Sequence, residues 1–322
     1  MSHVLDLPGL EGSNPLAMLC ALGTIRTLSI VEPALKPCLS WHTSDGWRPR
    51  LHFCCAVTDS EVVEKLYSQL SGADTAMQFN ELGDDLTVSP AEFKNFAQKA
   101  ATAATAIDRS AADFAAAFGC EATATENEDK PTIQDTALRT MAGAGHQHFL
   151  GFMRNIIRQT KPEHLRKSLF EPWRYDDSVT NLTLRWDPVD DVRYALRWRN
   201  PSGDPARKNA GSMLGANRLA IEGLPLLPTA PKRKGQLGTT GFQGNKSTNT
   251  FWTWPIWNEP INVDIIRSLM AFPPLQIPHS DQQNARLESV RKELLAMGVV
   301  EVYRSQRLTI GKVKNFTAGR SL

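Results

Sequence analysis

The 322-residue chain has no run of the roughly 20 apolar residues that a bilayer-spanning helix needs. Its most apolar stretch, Leu16–Leu22, is followed by Thr24 and Arg26, is preceded by Asp6 and Glu11 rather than by basic residues, and has no Ala-x-Ala-like site after it. That pattern argues against both a membrane segment and a secretory signal. Cysteine is sparse and unpaired in pattern: Cys20, Cys38, Cys54, Cys55 and Cys120 make an odd count with no Cys-x-x-Cys spacing. A disulfide scaffold is therefore not expected, and the chain reads as a reduced, cytoplasmic protein. Common catalytic signatures are missing too. There is no Gly-x-x-x-x-Gly-Lys-Ser/Thr loop, no His-Glu-x-x-His pair and no Gly-x-Ser-x-Gly elbow. No internal repeat is present. The expectation is a protein that is not an enzyme and needs no cofactor.

What is present is an ordinary globular composition, 41% hydrophobic and 22% charged. The net charge of +2 hides an asymmetry, since residues 1–190 sum to −8 and residues 191–322 to +10. A basic C-terminal part on a nearly neutral chain suggests a surface for an anionic partner, or attraction between the two parts.

The stretch "GSNPLAMLCALGTIR" predicts a helix over about 15–31. Asn14 is a good N-cap, and Pro15 fits the first helical position. A helix apolar all round is buried by protein on every side, and Gly23 suggests a close backbone approach. A short strand is expected at 3–8. "LSWHTSDGWRPRLHFCCAV" reads as a hairpin turning at Asp45-Gly46, with Pro49 marking an edge or bulge. A helix capped by Asp59 or Ser60 follows.

Phe93, Phe96, Ala100, Ala103, Ile107, Ala111, Phe114 and Phe118 recur every three or four residues, predicting one long helix over 90–118 that Gly119 stops. Residues 121–130 read as an acidic loop. Helices are expected at about 135–159 and 162–170, then a second hairpin, a helix ending near Gly223, a Gly- and Lys-rich loop over 230–249, the aromatic strand "TFWTWPIW", helices at 262–272 and 281–297, and a final hairpin. The class is α+β, with mixed or antiparallel sheets and hairpins packed against several helices. Residues 1–130 form an N-terminal α+β part and residues 131–322 a basic, Trp-rich α+β part, with one continuous domain as the alternative.

The second hairpin carries the sharpest functional signal. With strands at about 179–186 and 191–199, Leu182, Leu184 and Trp186 face one way, as do Val192, Tyr194, Leu196 and Trp198. Arg185, Arg193, Arg197 and Arg199 face the other. Four arginines on one face repel each other unless an anion joins them, and the guanidinium fork matches phosphate. Lys232, Arg233, Lys234 and Lys246 on the glycine-rich loop would add a clamp. The alternative is a plain protein–protein interaction surface that binds an acidic segment. A metal-dependent nuclease using His146, His148 or His164 with the doublets Asp84-Asp85, Asp176-Asp177 and Asp190-Asp191 is a third reading; it is weak, because residues two apart on a helix face different ways. The tryptophans are expected mostly in the core beside the second hairpin.

Gly12, Asn14, Pro15, Leu19, Ala21, Leu22, Gly23 and Arg26, within "LPGLEGSNPLAMLCALGTIRTL", resemble the N-terminal signature of proteins encoded in subtype I-G (formerly I-U) CRISPR-Cas loci. The blocks "TMAGAGHQHFLGF", "GSMLGANRLAIEGLPLLPT" and "FWTWPIW" are similar to that group as well. The resemblance implies antiviral defence. It also implies a non-enzymatic subunit that binds guide RNA or target DNA and packs against other effector subunits or the helicase-nuclease, with no membrane role.

Overall fold

Asn14 starts the first helix, as its side chain predicts. In a computed structural model that describes residues 3–125, 130–141, 148–177, 182–189, 212–244, 249–276, 284–310 and 313–322, helix α1 spans Pro15–Val31. Asn14 Oδ1 accepts the N–H groups of Leu16 (2.8 Å) and Ala17 (3.3 Å), while its Nδ2 donates to Asp187 Oδ1 (3.3 Å). Asn14→Ala removes the cap and this tie to a distant segment, so a loss of about 1–2 kcal/mol is expected in urea unfolding. Asn14→Ser should restore part of it.

All residues from Pro15 to Leu28 are buried, Arg26 included. Strand β1 (His3–Asp6) precedes α1 in the chain; strands β2 (Cys38–Ser44) and β3 (Gly46–Phe53) and helix α2 (Asp59–Leu70) follow it, and α2 packs on α1. Thr58, rather than Asp59 or Ser60, caps α2 through a reciprocal box with Glu61. The hairpin turns at Asp45-Gly46 as expected, with Gly46 at φ +84°, but Ser44 pairs with Gly46, so the turn is not the two-residue one that Asp-Gly predicts. The sheet order is β1-β3-β2, so the strand carrying Pro49 is central and not an edge. Pro49 C=O accepts Leu7 N–H (2.9 Å), so its missing N–H faces the β1 side, just past the last β1 pair, Asp6 with Arg50. The β2–β3 ladder therefore loses no bond there.

The long helix expected over 90–118 is two. Helix α3 is a single turn, Met77–Asn80, and helices α4 (Pro90–Ala103) and α5 (Ser110–Phe118) follow. Between α4 and α5, Thr105 Oγ1 accepts the Asp108 N–H (2.9 Å) and Asp108 Oδ1 accepts the Ser110 N–H (3.0 Å). Such side-chain bonds offer the backbone an alternative to helix. The turn throws Ile107 out, 93% exposed, while Phe93, Phe96, Phe114 and Phe118 still reach the core.

Gly119 opens strand β4 (Gly119–Ala124), which pairs with β5 (Ile133–Asp135). The helix expected over 135–159 thus begins only at Phe149, where α6 (Phe149–Gln159) starts; α7 is Pro162–Phe170. Asp135 belongs to the sheet because it pairs with Gly119, and Thr136 then turns the chain by accepting Leu138 N–H (3.3 Å).

Helix α8 (Leu214–Gly223) is buried along its whole length and lies directly against α1. The contact is between backbones: a Cβ on Gly23 would sit 1.7 Å from Leu219 O. The expected role of Gly23 is borne out. Beside this crossing Glu222 receives Arg26 Nη1 on one oxygen and Arg218 Nη1 on the other, each at 2.9 Å. No periodicity rule anticipates three charged side chains inside this core.

Hairpin β6 (Thr229–Pro231) and β7 (Leu237–Thr239) leads to β8 (Phe242–Gln243) and the aromatic strand β9 (Thr250–Trp257). After α9 (Val263–Met270) and α10 (Asn284–Ala296) come β10 (Val299–Ile310), β11 (Val313–Phe316) and β12 (Arg320–Ser321). The order in this second sheet is β11-β10-β9-β8, with β12 also on β10, and every pairing is antiparallel. Trp186, Trp252, Trp254 and Trp257 are buried, as expected of core tryptophans. Three satisfy their N–H on backbone carbonyls: Trp186 on Leu138 (2.9 Å), Trp254 on Gly12 (2.9 Å) and Trp257 on Leu39 (2.7 Å). The molecule is α+β, small antiparallel sheets packed against helices. Among the described residues no helix is long and apolar enough to cross a membrane.

A candidate nucleic-acid interface

Of the cations singled out in the sequence, Arg193, Arg197, Arg199 and Lys246 lie outside the described residues, as does the side chain of Lys234. Arg185 is not on an open sheet face. It is 1% exposed, with φ +57°, in a bend between Leu184 and Trp186. Residues 182–189 form no strand there because their backbone bonds elsewhere. Leu184 N–H donates to Asn217 Oδ1 (2.9 Å), and Leu184 C=O accepts Thr140 Oγ1 (2.5 Å). The apolar half of the pattern, Leu182, Leu184 and Trp186, is buried as expected.

Lys232 and Arg233 are exposed beyond β6. Lys232 also forms one wall of a cleft of about 310 Å³, which the sequence reading missed. The cleft is bounded by β5, the β6–β7 hairpin and the β10–β11 end of the second sheet, and its charged lining is Asp135, Arg139, Lys232, Arg307 and Lys314. Gln134 ties two of these walls: its Nε2 donates to Gly235 C=O (3.0 Å) and its Oε1 accepts Leu237 N–H (3.0 Å). Gly238 leaves room for the Lys232 stem, since a Cβ there would lie 2.1 Å from Lys232 Cε.

The cations of this cleft differ in what they already hold. Arg139 is fully engaged, by Asp135, by Asp85 (2.9 Å), by Thr87 Oγ1 (2.7 Å) and by Met141 C=O (2.8 Å). Burial opposes its charge, but the two carboxylates outweigh burial and raise its pKa. Arg307 donates from Nη1 to Ala137 C=O (2.7 Å), and its buried Nε has no partner among the described residues. Burial lowers its pKa, with Asp135 opposing. Burial likewise pushes the Lys314 amine down, Asp135 counters, and Arg307 and Arg139 push it further down.

Lys314 is therefore a group whose charge the folded state disfavours. Its folded pKa lies below the unfolded one, so the unfolded chain binds more protons between the two values. Stability should rise with pH across that window and stay lower beneath it. Lys314→Met removes the unfavourable charge. The variant is expected to melt roughly 1–4 °C higher at neutral pH and to lose the alkaline rise, as checked by thermal melts over pH.

Among the described residues the histidines and aspartates meet only in pairs, one of them His164 Nε2 at 4.0 Å from Asp177 Oδ1. His148 Nδ1 stands 3.8 Å from Oδ2 of Asp85, whose Oδ1 is paired with Arg139. His164 Nδ1 accepts Lys161 N–H (3.0 Å), and Asp177 Oδ2 accepts Leu214 N–H (2.6 Å) at the start of α8. Asp84 pairs with Arg154 and Asp176 with Lys167 (3.3 Å). His146, Asp190 and Asp191 lie outside the described residues. Among the described residues no three His, Cys, Asp or Glu side chains gather to hold a metal ion.

Arg307 and Lys314 had a signal in the sequence: period-two placement of basic and hydroxyl residues in "RLTIGKVKNF". Arg139 had none, because it reaches the cleft from a turn. In comparisons with known proteins, no family model and no curated protein matches the chain.

Proposed function

We propose that the chain is a non-catalytic, nucleic-acid-binding subunit of a CRISPR interference complex of the I-G kind. The observation that carries the reading is the cleft in which Lys232, Arg307 and Lys314 converge while its one carboxylate, Asp135, is held by Arg139. Cations gathered without matching acids are the electrostatic footprint of a phosphate backbone. The excess of +10 over residues 191–322 and the resemblance of the Gly12–Arg26 signature support it. Sequence choice would then rest with guide pairing, and the chain needs only backbone contacts.

Fluorescence anisotropy with single-stranded RNA, single-stranded DNA and duplex, titrated over salt, tests the reading. Binding should weaken with a slope of about 0.7–0.9 log units per phosphate contact per log unit of salt. Lys232→Glu with Arg233→Glu should weaken all sequences alike. No binding at low salt would overturn the reading and turn attention to a protein partner.

A further inference from the structure

We infer that Arg307, Thr309 and Lys314 form a phosphate-binding subsite at the floor of the basic cleft, built for the phosphate of a single strand and not for a duplex. The inference deepens the nucleic-acid reading and rests on it for the source of the phosphate.

The register of the second sheet builds the subsite. Arg307 pairs with Phe316 and Thr309 with Lys314 across β10 and β11. Side chains two apart on a strand share a face, and directly opposed residues share one too. Arg307, Thr309 and Lys314 therefore stand on the same face; Arg307 and Lys314 line the cleft, and Thr309 lies on that face beside them, directly opposite Lys314.

Each carries an unused donor. Arg307 is 9% exposed, and its Nε has no hydrogen-bond partner among the described residues. Thr309 Oγ1 is likewise buried without a partner among them. No described carboxylate comes within 4.0 Å of the Arg307 or Lys314 nitrogens, although fifteen basic or histidine side chains elsewhere among the described residues find one.

Buried donors without acceptors are costly to keep, and each is satisfied if an oxyanion enters. A guanidinium, a hydroxyl and an ammonium offer charge-assisted bonds to three oxygens of one tetrahedral group. A cleft of about 310 Å³ fits a phosphate with its flanking sugars, whereas a duplex presents its phosphates on a convex surface that cannot enter.

The test uses the full chain and three probes: inorganic phosphate, a labelled single strand and the matching duplex. Lys314→Gln is expected to weaken inorganic phosphate and the single strand by about tenfold or more, and Thr309→Val by several-fold. Weak duplex binding should not change. Thr309→Val keeps the shape of the residue it replaces and Lys314→Gln removes the charge from a shorter polar chain, and a melt at or above that of the wild type shows that lost binding is not lost folding.

If the wild type binds the strand and neither variant weakens it, the subsite is overturned while the nucleic-acid reading stands. If the wild type binds phosphate through these residues but no oligonucleotide, the subsite stands for a small phosphate-bearing ligand and the nucleic-acid reading fails. Duplex bound as tightly as the strand, and equally sensitive to Lys314→Gln, would overturn the single-strand assignment. Absence of all binding would overturn both.

Discussion

Glu222→Leu should lower the stability of the fold by about 3–5 kcal/mol, read as a shifted midpoint in urea unfolding. Glu222 stands between two guanidiniums, Arg26 and Arg218, whose side chains are 3% and 1% exposed. Its two oxygens each accept one of them at 2.9 Å. Without the carboxylate, Arg218 keeps, among the described residues, only Leu70 C=O (3.1 Å). Arg26 keeps Asp113 at 3.9 Å and the ring of Phe114 at 5.6 Å. Two buried positive charges would then share one site with little to balance them. The penalty comes from that residue of charge and not from the strength of the original pairs. Replacing Arg26, Arg218 and Glu222 together by Met, Leu and Leu should therefore recover most of the loss. A change under about 1 kcal/mol in Glu222→Leu would show that water or motion already compensates these charges.

Gly23→Ala is expected to cost about 3 kcal/mol or more, by the same measurement. Alanine is the better helix former by about 1 kcal/mol, so at an open helix position the substitution would stabilise. Here the new Cβ would lie 1.7 Å from Leu219 O, 2.7 Å from Leu219 C and 3.0 Å from Gly223 N. All three atoms are backbone of α8, so no side chain can swing away, and the two helices must separate. The sign of the effect is thus the diagnostic. Gly223→Ala meets Leu19 O at 2.6 Å and should cost less. The double variant should fall short of the sum, because one separation relieves both clashes.

These two effects meet at one crossing, which ties the opening of the chain to its second half. None of its residues, Gly23, Arg26, Leu219, Glu222 and Gly223, lines the basic cleft. Variants of the crossing should therefore change stability, whereas variants of the cleft should change binding.

The cleft was partly legible. Lys232 stood out because lysines and arginines cluster on a glycine-rich segment. Arg307 and Lys314 sit seven residues apart along the chain. Only their pairing through β10 and β11, one diagonal step apart, makes them neighbours. Arg185 misled for the converse reason. Alternation with Leu184 and Trp186 assigns it to an open face only if the segment is a strand, and Asn217 and Thr140 take the backbone groups that a strand partner would need.

By itself the sequence determined what depends on neighbours within a few residues. The Asn14-Pro15 start of α1, the Asp45-Gly46 hairpin, the burial of an all-apolar helix and the core placement of the tryptophans are of this kind. Caps, tight turns and side-chain periodicity act locally, so they can be read locally. Tertiary structure alone decided which helix meets Gly23, which carboxylate neutralises Arg26 and which strands gather the cleft's cations. It also divided the expected long helix, where Thr105 and Asp108 drew the backbone into a turn. Each of these turns on a partner distant in the chain or on a competition between nearly equal local choices, and packing energy settles such choices.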